Sequence, residues 1–295
     1  MKLSIVIVSY NGREHLRKCL ASLSRYLDDP ECEVIVVDNA SRDGSAAMVA
    51  DEFPQARLFA LPTNTGFAAG ANHGFHESKG EAIVFLNPDS EVASDVFGPM
   101  LDYLRAHPQI GILAPKLVDE DGSLQLSCRR FPGFATALFN RYSLLTRLLP
   151  RNRFSSRYLL TDWDHNSISE VDWVSGACMM VRRSLLDEIG PFDEGYFMYI
   201  EDVDLCRRAH RAGYQVVYFP DATVTHRIGG SSRTVEARSI VERHRSMWRY
   251  YKKYLRRNPV LDAAVAAGIF VRCGWLLLLN AVRQAIGVTR RRGPR

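Results

Sequence analysis

The chain has 295 residues, 46% of them hydrophobic, which is enough to bury one large core. Its net charge of +5 is unevenly shared: residues 1–226 hold 22 Lys and Arg against 30 Asp and Glu, whereas residues 227–295 hold 16 against 3. An acidic body with a basic tail, and no helix-turn-helix, RRM or zinc-finger pattern, argues against nucleic acid as a partner and leaves lipid head groups or a lipid-linked diphosphate as the anions the tail would seek.

Met1-Lys2 leads directly into Leu3–Val8, an apolar run of strand length, so no secretory leader is expected. The run ends at Ser9-Tyr10-Asn11-Gly12, and Glu14–Tyr26 then carries helical spacing through Leu16, Cys19, Leu20 and Leu23. Val34–Val37 predicts a second strand, ending at Asp38-Asn39-Ala40-Ser41. Ala56–Leu61 predicts a third, leading into Asn64-Thr65-Gly66-Phe67-Ala68-Ala69-Gly70-Ala71-Asn72. Ala82–Leu86 predicts a fourth buried strand, followed at once by Asn87-Pro88-Asp89. Strands alternating with helices imply a mostly parallel α/β sheet with right-handed crossovers. Ligand loops of such sheets gather at the carboxyl ends of the strands, where Tyr10, Asn11, Asp38, Asn39 and Asp89 all fall.

These residue types suit a nucleoside diphosphate. Asp38 can accept the imide N–H of a pyrimidine, Tyr10 offers a ring for stacking, and Asn11 offers a polar contact. Gly66 and Gly70 permit close backbone approach. The chain has neither GxxxxGK[ST] nor GxGxxG after its first strand, which argues against a P-loop NTPase or a standard dinucleotide enzyme. Farther along stand Glu201-Asp202-Val203-Asp204 and His226. A hard divalent cation bridging two phosphates needs one or two carboxylates, sometimes with a His, so Asp89 and His226 are candidate metal ligands and Asp202 is left as a candidate base.

Ser9-Tyr10-Asn11, Val37-Asp38-Asn39-Ala40-Ser41, the Asn64–Asn72 motif, Asn87-Pro88-Asp89, Trp173-Val174-Ser175-Gly176-Ala177 and Phe197-x-Tyr199-x-Glu201-Asp202-Val203-Asp204-Leu205 occur in that order. Together they resemble the family 2 inverting glycosyltransferases with the GT-A fold, especially their bacterial rhamnosyltransferase-like branch, over roughly residues 1–255. The resemblance implies a Rossmann-like, mostly parallel sheet flanked by helices. It implies donor contacts from Tyr10, Asn11, Asp38, Asn72, Asn87, Ser175 and Gly176, and Mg²⁺ or Mn²⁺ held by Asp89 and His226. Asp202 is then the base that deprotonates an acceptor hydroxyl for attack on the anomeric carbon. Asn87 stands where the family's metal motif has its first Asp; a neutral amide there still suits ribose. Glu201 beside Asp202 would raise the base's pKa by like-charge repulsion, weakly, because consecutive helical side chains diverge. Asp204 reads as a local partner for Arg207 or Arg208.

The implied reaction moves a sugar, rhamnose from dTDP-rhamnose by this branch, to a hydroxyl of a cell-surface glycan or lipid-linked acceptor. A catalytically weak nucleotide-sugar-binding subunit and a nucleotidyltransferase are the alternatives. The latter would carry a Gly-rich activating loop with a Lys where Ser9-Tyr10-Asn11-Gly12 stands. Six cysteines, at 19, 32, 128, 178, 206 and 273, form no CxxC pair and read as reduced thiols.

Two further segments bear on location. Phe134–Leu149 is apolar and basic, a lipid- or acceptor-facing helix or an ordinary core element, and Arg151–Glu170 reads as a polar loop closing over the donor. In Val260–Val288, Asp262, Arg272, Asn280, Arg283 and Gln284 form one polar stripe of about 120° at the helical period, with basic clusters on both flanks. Two basic flanks favour a helix lying on the cytoplasmic face of a bacterial inner membrane, its stripe in water, over one that spans; packing on protein is the alternative. The expected division is a catalytic domain over 1–255 and a membrane-associated tail over 256–295.

Overall fold

The computed structural model describes residues 1–93, 95–133, 156, 158–227 and 236–285. The first half runs β1 (Leu3–Ser9), α1 (Arg13–Ser22), α2 (Ser24–Leu27), β2 (Cys32–Asp38), α3 (Ser45–Glu52), β3 (Arg57–Ala60), α4 (Phe67–Glu77), β4 (Ala82–Leu86), β5 (Ser90–Val92), α5 (Phe97–Ala106) and β6 (Ile110–Val118). Then come the short strands β7 (Leu124–Gln125), β8 (Cys128–Arg129), β9 (Ser169–Glu170) and β10 (Trp173–Val174), followed by β11 (Cys178–Arg182), α6 (Arg183–Ile189), α7 (Glu201–Arg211), β12 (Gln215–His226), α8 (Glu236–Tyr254) and α9 (Pro259–Ala285).

The main sheet has the order β3-β2-β1-β4-β11-β6-β12-β5, with β7 on β6 and β9 on β12; β8 and β10 form a second, two-stranded sheet. Pairing is parallel through β3, β2, β1 and β4, as the alternating pattern requires. β11 breaks it, running antiparallel to β4 with Cys178 opposite Leu86. That inversion matters for the site, because it brings Ser175-Gly176-Ala177 to the carboxyl end of β4 beside Asn87-Pro88-Asp89. Both faces of the sheet are covered, so its strands read as unbroken apolar runs. Leu3, Ile5 and Ile7 pack with α1, α3 and α5, whereas Val6 and Val8 pack with α4, α6 and α7.

The helix expected over Glu14–Tyr26 is interrupted at Leu23, whose amide reaches back only to the Leu20 carbonyl, 3.0 Å away. Beyond the break the Tyr26 hydroxyl accepts the Phe97 amide at the start of α5, a tertiary contact that periodicity does not encode. Gly66 serves a close approach: at φ +90° its α-carbon lies so near the Phe197 carbonyl that a Cβ would stand 2.3 Å from that oxygen. The Phe67 amide donates to the same carbonyl. The start of α4 is thereby docked on the turn Phe197-Met198-Tyr199-Ile200 that precedes α7. Tyr199 and Ile200 both have φ +71°, a rare conformation for a β-branched residue, immediately before Glu201-Asp202.

α8 is tied to the body. The Ser246 hydroxyl donates to the Met198 carbonyl at 2.9 Å, Arg249 and Lys253 pair with Asp193, and Lys253 and Tyr254 reach the buried Asp204. Asp204 also pairs with Arg208 one turn along. α9 packs back along α8, and here one expectation changes. Asp262 binds the Tyr251 hydroxyl and Arg256, Arg272 meets His244, and Asn280 is buried. Most of the polar stripe therefore faces α8 rather than water, because its groups find partners there. The side turned outward is apolar: Val260, Phe270, Val271, Trp275 and Leu278 are exposed, Val271 by 73%. The helix is long and apolar enough to cross a membrane, by length and composition. Phe134–Leu149, the first residues of the Arg151–Glu170 run and the Arg290–Arg292 cluster lie outside the described residues.

Candidate active site

The carboxyl ends of β1 and β2 form one side of the cleft. Asp38 ends β2 opposite Ser9 and is 3% exposed. Its Oδ2 accepts the Ser41 amide, while Oδ1 is buried with no hydrogen-bond partner among the described residues. A buried carboxylate oxygen without a donor is costly unless a ligand supplies one. Tyr10 is half-buried and follows Ser9, the residue that pairs with Asp38 in the sheet. Asn11, at φ +50°, accepts the Arg42 amide with its side chain, and its own amide donates to Ser41 Oγ. Asn11 thus clasps the two loops together.

Asn72 is not brought into the cleft. Its amide donates to the Phe192 carbonyl and Glu194 and accepts the Phe192 amide, all at 2.9 Å. The side chain is engaged in bracing the 192–194 loop, so the expectation of a direct donor contact from Asn72 gives way to a supporting role.

β4 delivers Asn87 and Asp89. The Asn87 amide donates to the Ala177 carbonyl at 2.9 Å, and the Gly176 amide donates to Asp202 Oδ2 at 3.0 Å. The Ser175–Ala177 loop therefore touches the Asn87–Asp89 turn with one residue and the Asp202 carboxylate with the next. Asp202 sits in the first turn of α7, where the helix dipole favours a negative charge. Burial raises its pKa above the usual carboxylate range, opposed by the Gly176 and Val203 amides and by the positive charge of Arg129. Glu201, 6% exposed, is raised well above its ordinary value, first by burial and then by the Asp202 charge. The repulsion expected between the two acts on Glu201 in the same direction as burial.

His226 ends β12 opposite Ser90, and its Nε2 lies 3.4 Å from Asp89 Oδ1. Gln125 fixes the ring. The Gln125 amide nitrogen donates to the Val118 and His226 carbonyls and to Asp119, so its oxygen must be the atom 3.0 Å from His226 Nδ1. Nδ1 then carries a proton, and in the neutral ring Nε2 turns a lone pair toward Asp89. A carboxylate oxygen and an imidazole lone pair facing one point suit a cation, and a hydrogen bond at the far ring nitrogen is the usual support of a His ligand. Among the described residues no group of three or more His, Cys, Asp or Glu is gathered to cage a metal. The two ligands fit Mg²⁺ or Mn²⁺, which take further oxygens from phosphates and water.

The glycosyl transferase family 2 model matches residues 4–190, and the glycosyl transferase family group 2 model matches residues 134–284. The N-acetylglucosaminyl-diphospho-decaprenol L-rhamnosyltransferase of Mycobacterium tuberculosis is 32% identical over 257 residues, covering 83% of this chain and 82% of that protein. The chain belongs to glycosyl transferase family 2. It is a nucleotide-sugar glycosyltransferase with a GT-A fold. The rhamnosyltransferase WbbL of Escherichia coli is 25% identical over 264 residues, covering 88% of this chain and 94% of its own length. Among solved structures, a mannosyltransferase from Pyrobaculum calidifontis in complex with GDP-Man and Mn²⁺ superposes with a TM-score of 0.56 at 18% identity, over 100% of this chain and 76% of that one.

Three residues at the cleft were not apparent from the sequence: Gln125, which orients His226, and Ser127 and Arg129, which stand opposite the Trp173–Gly176 segment. Gln125 and Arg129 lie on two-residue strands too short for any periodicity to show, and Ser127 lies between those strands. The alternating spacing 125, 127, 129 was the signal available.

Proposed function

We propose that this glycosyltransferase moves rhamnose from dTDP-rhamnose, with inversion, to a hydroxyl of a lipid-linked or cell-surface glycan acceptor. Asp38 takes the imide of thymine and Tyr10 stacks on the ring. Asn11 and Asn72 hold the surrounding loops, Asn87 meets the ribose, and Ser175 and Gly176 line the donor sugar and diphosphate. Asp89 and His226 hold Mg²⁺ or Mn²⁺, which when bound offsets the charge of the departing diphosphate. Asp202 removes the proton of the acceptor hydroxyl as that oxygen attacks the anomeric carbon.

The observation that carries the reading is the Ser175–Ala177 loop. It is hydrogen-bonded to the Asp202 carboxylate on one side and to the Asn87–Asp89 turn on the other. An inverting displacement needs a base and a leaving-group stabiliser on opposite faces of one sugar, and this loop stands between candidates for both. The mycobacterial and E. coli relatives, both rhamnosyltransferases, support the choice of sugar. Radiolabelled rhamnose is expected to pass from dTDP-rhamnose to a short prenyl-diphosphate N-acetylglucosamine in the presence of Mn²⁺. Transfer from UDP-galactofuranose, UDP-glucose or GDP-mannose instead would correct the donor, and donor binding without turnover would point to a binding subunit.

In this reading residues 1–255 are the catalytic domain, and 256–295 seat it on the cytoplasmic face of the inner membrane. The exposed apolar side of α9 enters the lipid interface, and flanking Lys and Arg gain about 1 kcal/mol each near anionic head groups. Full-length protein should therefore sediment with vesicles containing anionic lipid, less so as salt rises. Val271→Asp with Trp275→Asp should release it while donor binding persists, because every proposed donor residue precedes residue 227. Sedimentation of the double variant equal to wild type would move the anchor elsewhere in the chain.

A further inference from the structure

Beside the Ser175–Ala177 loop lies a wall that the donor and metal assignments leave unused. β8 and β10 pair antiparallel, with Arg129 opposite Trp173 and Cys128 opposite Val174. The Ser175 amide donates to the Ser127 carbonyl at 2.8 Å, which continues the ladder by one step. The next residue, Gly176, donates to Asp202. Ser127 and Arg129 are thus two residues apart on an extended segment and share one face, while Cys128 between them points into the core.

Both carry polar atoms without a partner among the described residues. Ser127 is 8% exposed and its hydroxyl makes no hydrogen bond; Arg129 Nε is buried and likewise unpaired. Arg129 does donate through Nη2 to the Leu126 carbonyl, and its guanidinium stacks over the Trp173 ring at 5.2 Å. The stack fixes the plane of the guanidinium, and its charge is felt at Asp202. A permanently charged, oriented donor and a buried hydroxyl on one face are the parts of a phosphate site, for which Arg is suited by its planar fork.

Which phosphate follows from the stereochemistry. In a single displacement with inversion, the base and the attacking hydroxyl lie on the face of the sugar away from the leaving diphosphate. The Asp89–His226 pair already marks the leaving side. A cation beside the base belongs to the acceptor side.

We propose that Ser127 and Arg129 form a phosphate subsite for the acceptor, holding the phosphate through which its sugar is attached to a lipid carrier. This rests on the glycosyl-transfer reading above and narrows the acceptor to a phosphate-bearing one. The subsite also gives Trp173 a purpose beyond packing: it orients the guanidinium that grips the substrate.

The test uses full-length protein saturated with dTDP and Mn²⁺, so that the donor site is filled, titrated calorimetrically with farnesyl diphosphate and with farnesol. Wild type should bind farnesyl diphosphate about tenfold or more tightly than farnesol, the scale of one charge-assisted hydrogen bond. Arg129→Ala should erase that preference, Ser127→Ala should reduce it severalfold, and Arg129→Lys should retain part of it. Displacement of farnesyl diphosphate by inorganic phosphate, lost in Arg129→Ala, would support the subsite and show that phosphate rather than the prenyl chain is read. Thermal stabilisation by dTDP with Mn²⁺ checks that each variant is folded. Should Arg129→Ala fail that check, Ser127→Ala and Arg129→Lys carry the result. An undiminished preference in the folded variants, or none in wild type, would overturn the proposal. Because binding is read without turnover, an error in the donor sugar would leave this result standing, and the transfer assay above would expose that error separately.

Discussion

Asp202→Asn is expected to lower turnover by about 10² to 10⁴, the usual scale for removing a general base, with donor affinity little changed. The substitution is nearly isosteric, and its amide oxygen can still accept the Gly176 amide that Asp202 Oδ2 accepts now. What disappears is the capacity to take a proton, so kcat should carry the loss. The pH profile provides a second reading. A base works only when ionised, and burial raises the Asp202 pKa above the ordinary carboxylate range. Activity should therefore fall as pH falls through that raised value, placing the acidic limb above the ~3.9 of a free aspartate. Glu201→Gln serves as the control. Burial and the charge of Asp202 raise the Glu201 pKa well above its ordinary value, so a neutral amide in its place should spare most of the turnover. Near-normal turnover in Asp202→Asn would remove this residue from the role, as would an acidic limb abolished by Glu201→Gln instead.

The parts of this site that the sequence revealed are those attached to ends of strong elements. Asp38 ends β2 and Asp89 lies in the turn after β4, and any parallel sheet places such residues on one edge. His226 ends β12 and Asp202 opens α7, so each was visible as a polar residue at the boundary of an apolar pattern. Other features depend on contacts that no local pattern contains. The inversion of β11 between β4 and β6 could not be inferred from alternating strands and helices, yet it is what carries Gly176 to Asp202. Asn72 shares a motif with the close-approach glycines Gly66 and Gly70 but is fastened to the loop 120 residues away. In α9 the periodicity disclosed a polar stripe; only the partners at Tyr251, Arg256 and His244 showed that much of it meets protein and leaves the apolar side outward. Polar patterning gives a direction on a helix, and tertiary contacts decide what lies in that direction.

Asp89→Ala and His226→Ala are each expected to abolish most metal-dependent donor binding, because Oδ1 of one and Nε2 of the other are 3.4 Å apart and are proposed to hold the same cation. Activity should disappear in EDTA and return with Mg²⁺ or Mn²⁺. The two substitutions should be far from additive: once one ligand is gone, the other has little left to hold, as groups that act as a unit behave. Gln125→Leu sharpens the test without touching a ligand. The Gln125 side-chain oxygen is what keeps the proton on His226 Nδ1 and the lone pair on Nε2. Its loss should weaken metal affinity by about 10 to 100-fold, the range seen when a supporting hydrogen bond to a His ligand is removed. Excess Mn²⁺ should restore activity to Gln125→Leu, since both ligands remain, but should not restore Asp89→Ala. Manganese titration followed by electron paramagnetic resonance measures this directly, apart from turnover. Full activity in chelator would sink the metal assignment. The Asp89–His226 contact would then be an ion pair closing β12 onto the Asn87–Asp89 turn, and the neutral Asn87 in place of an acidic ligand would be its natural companion.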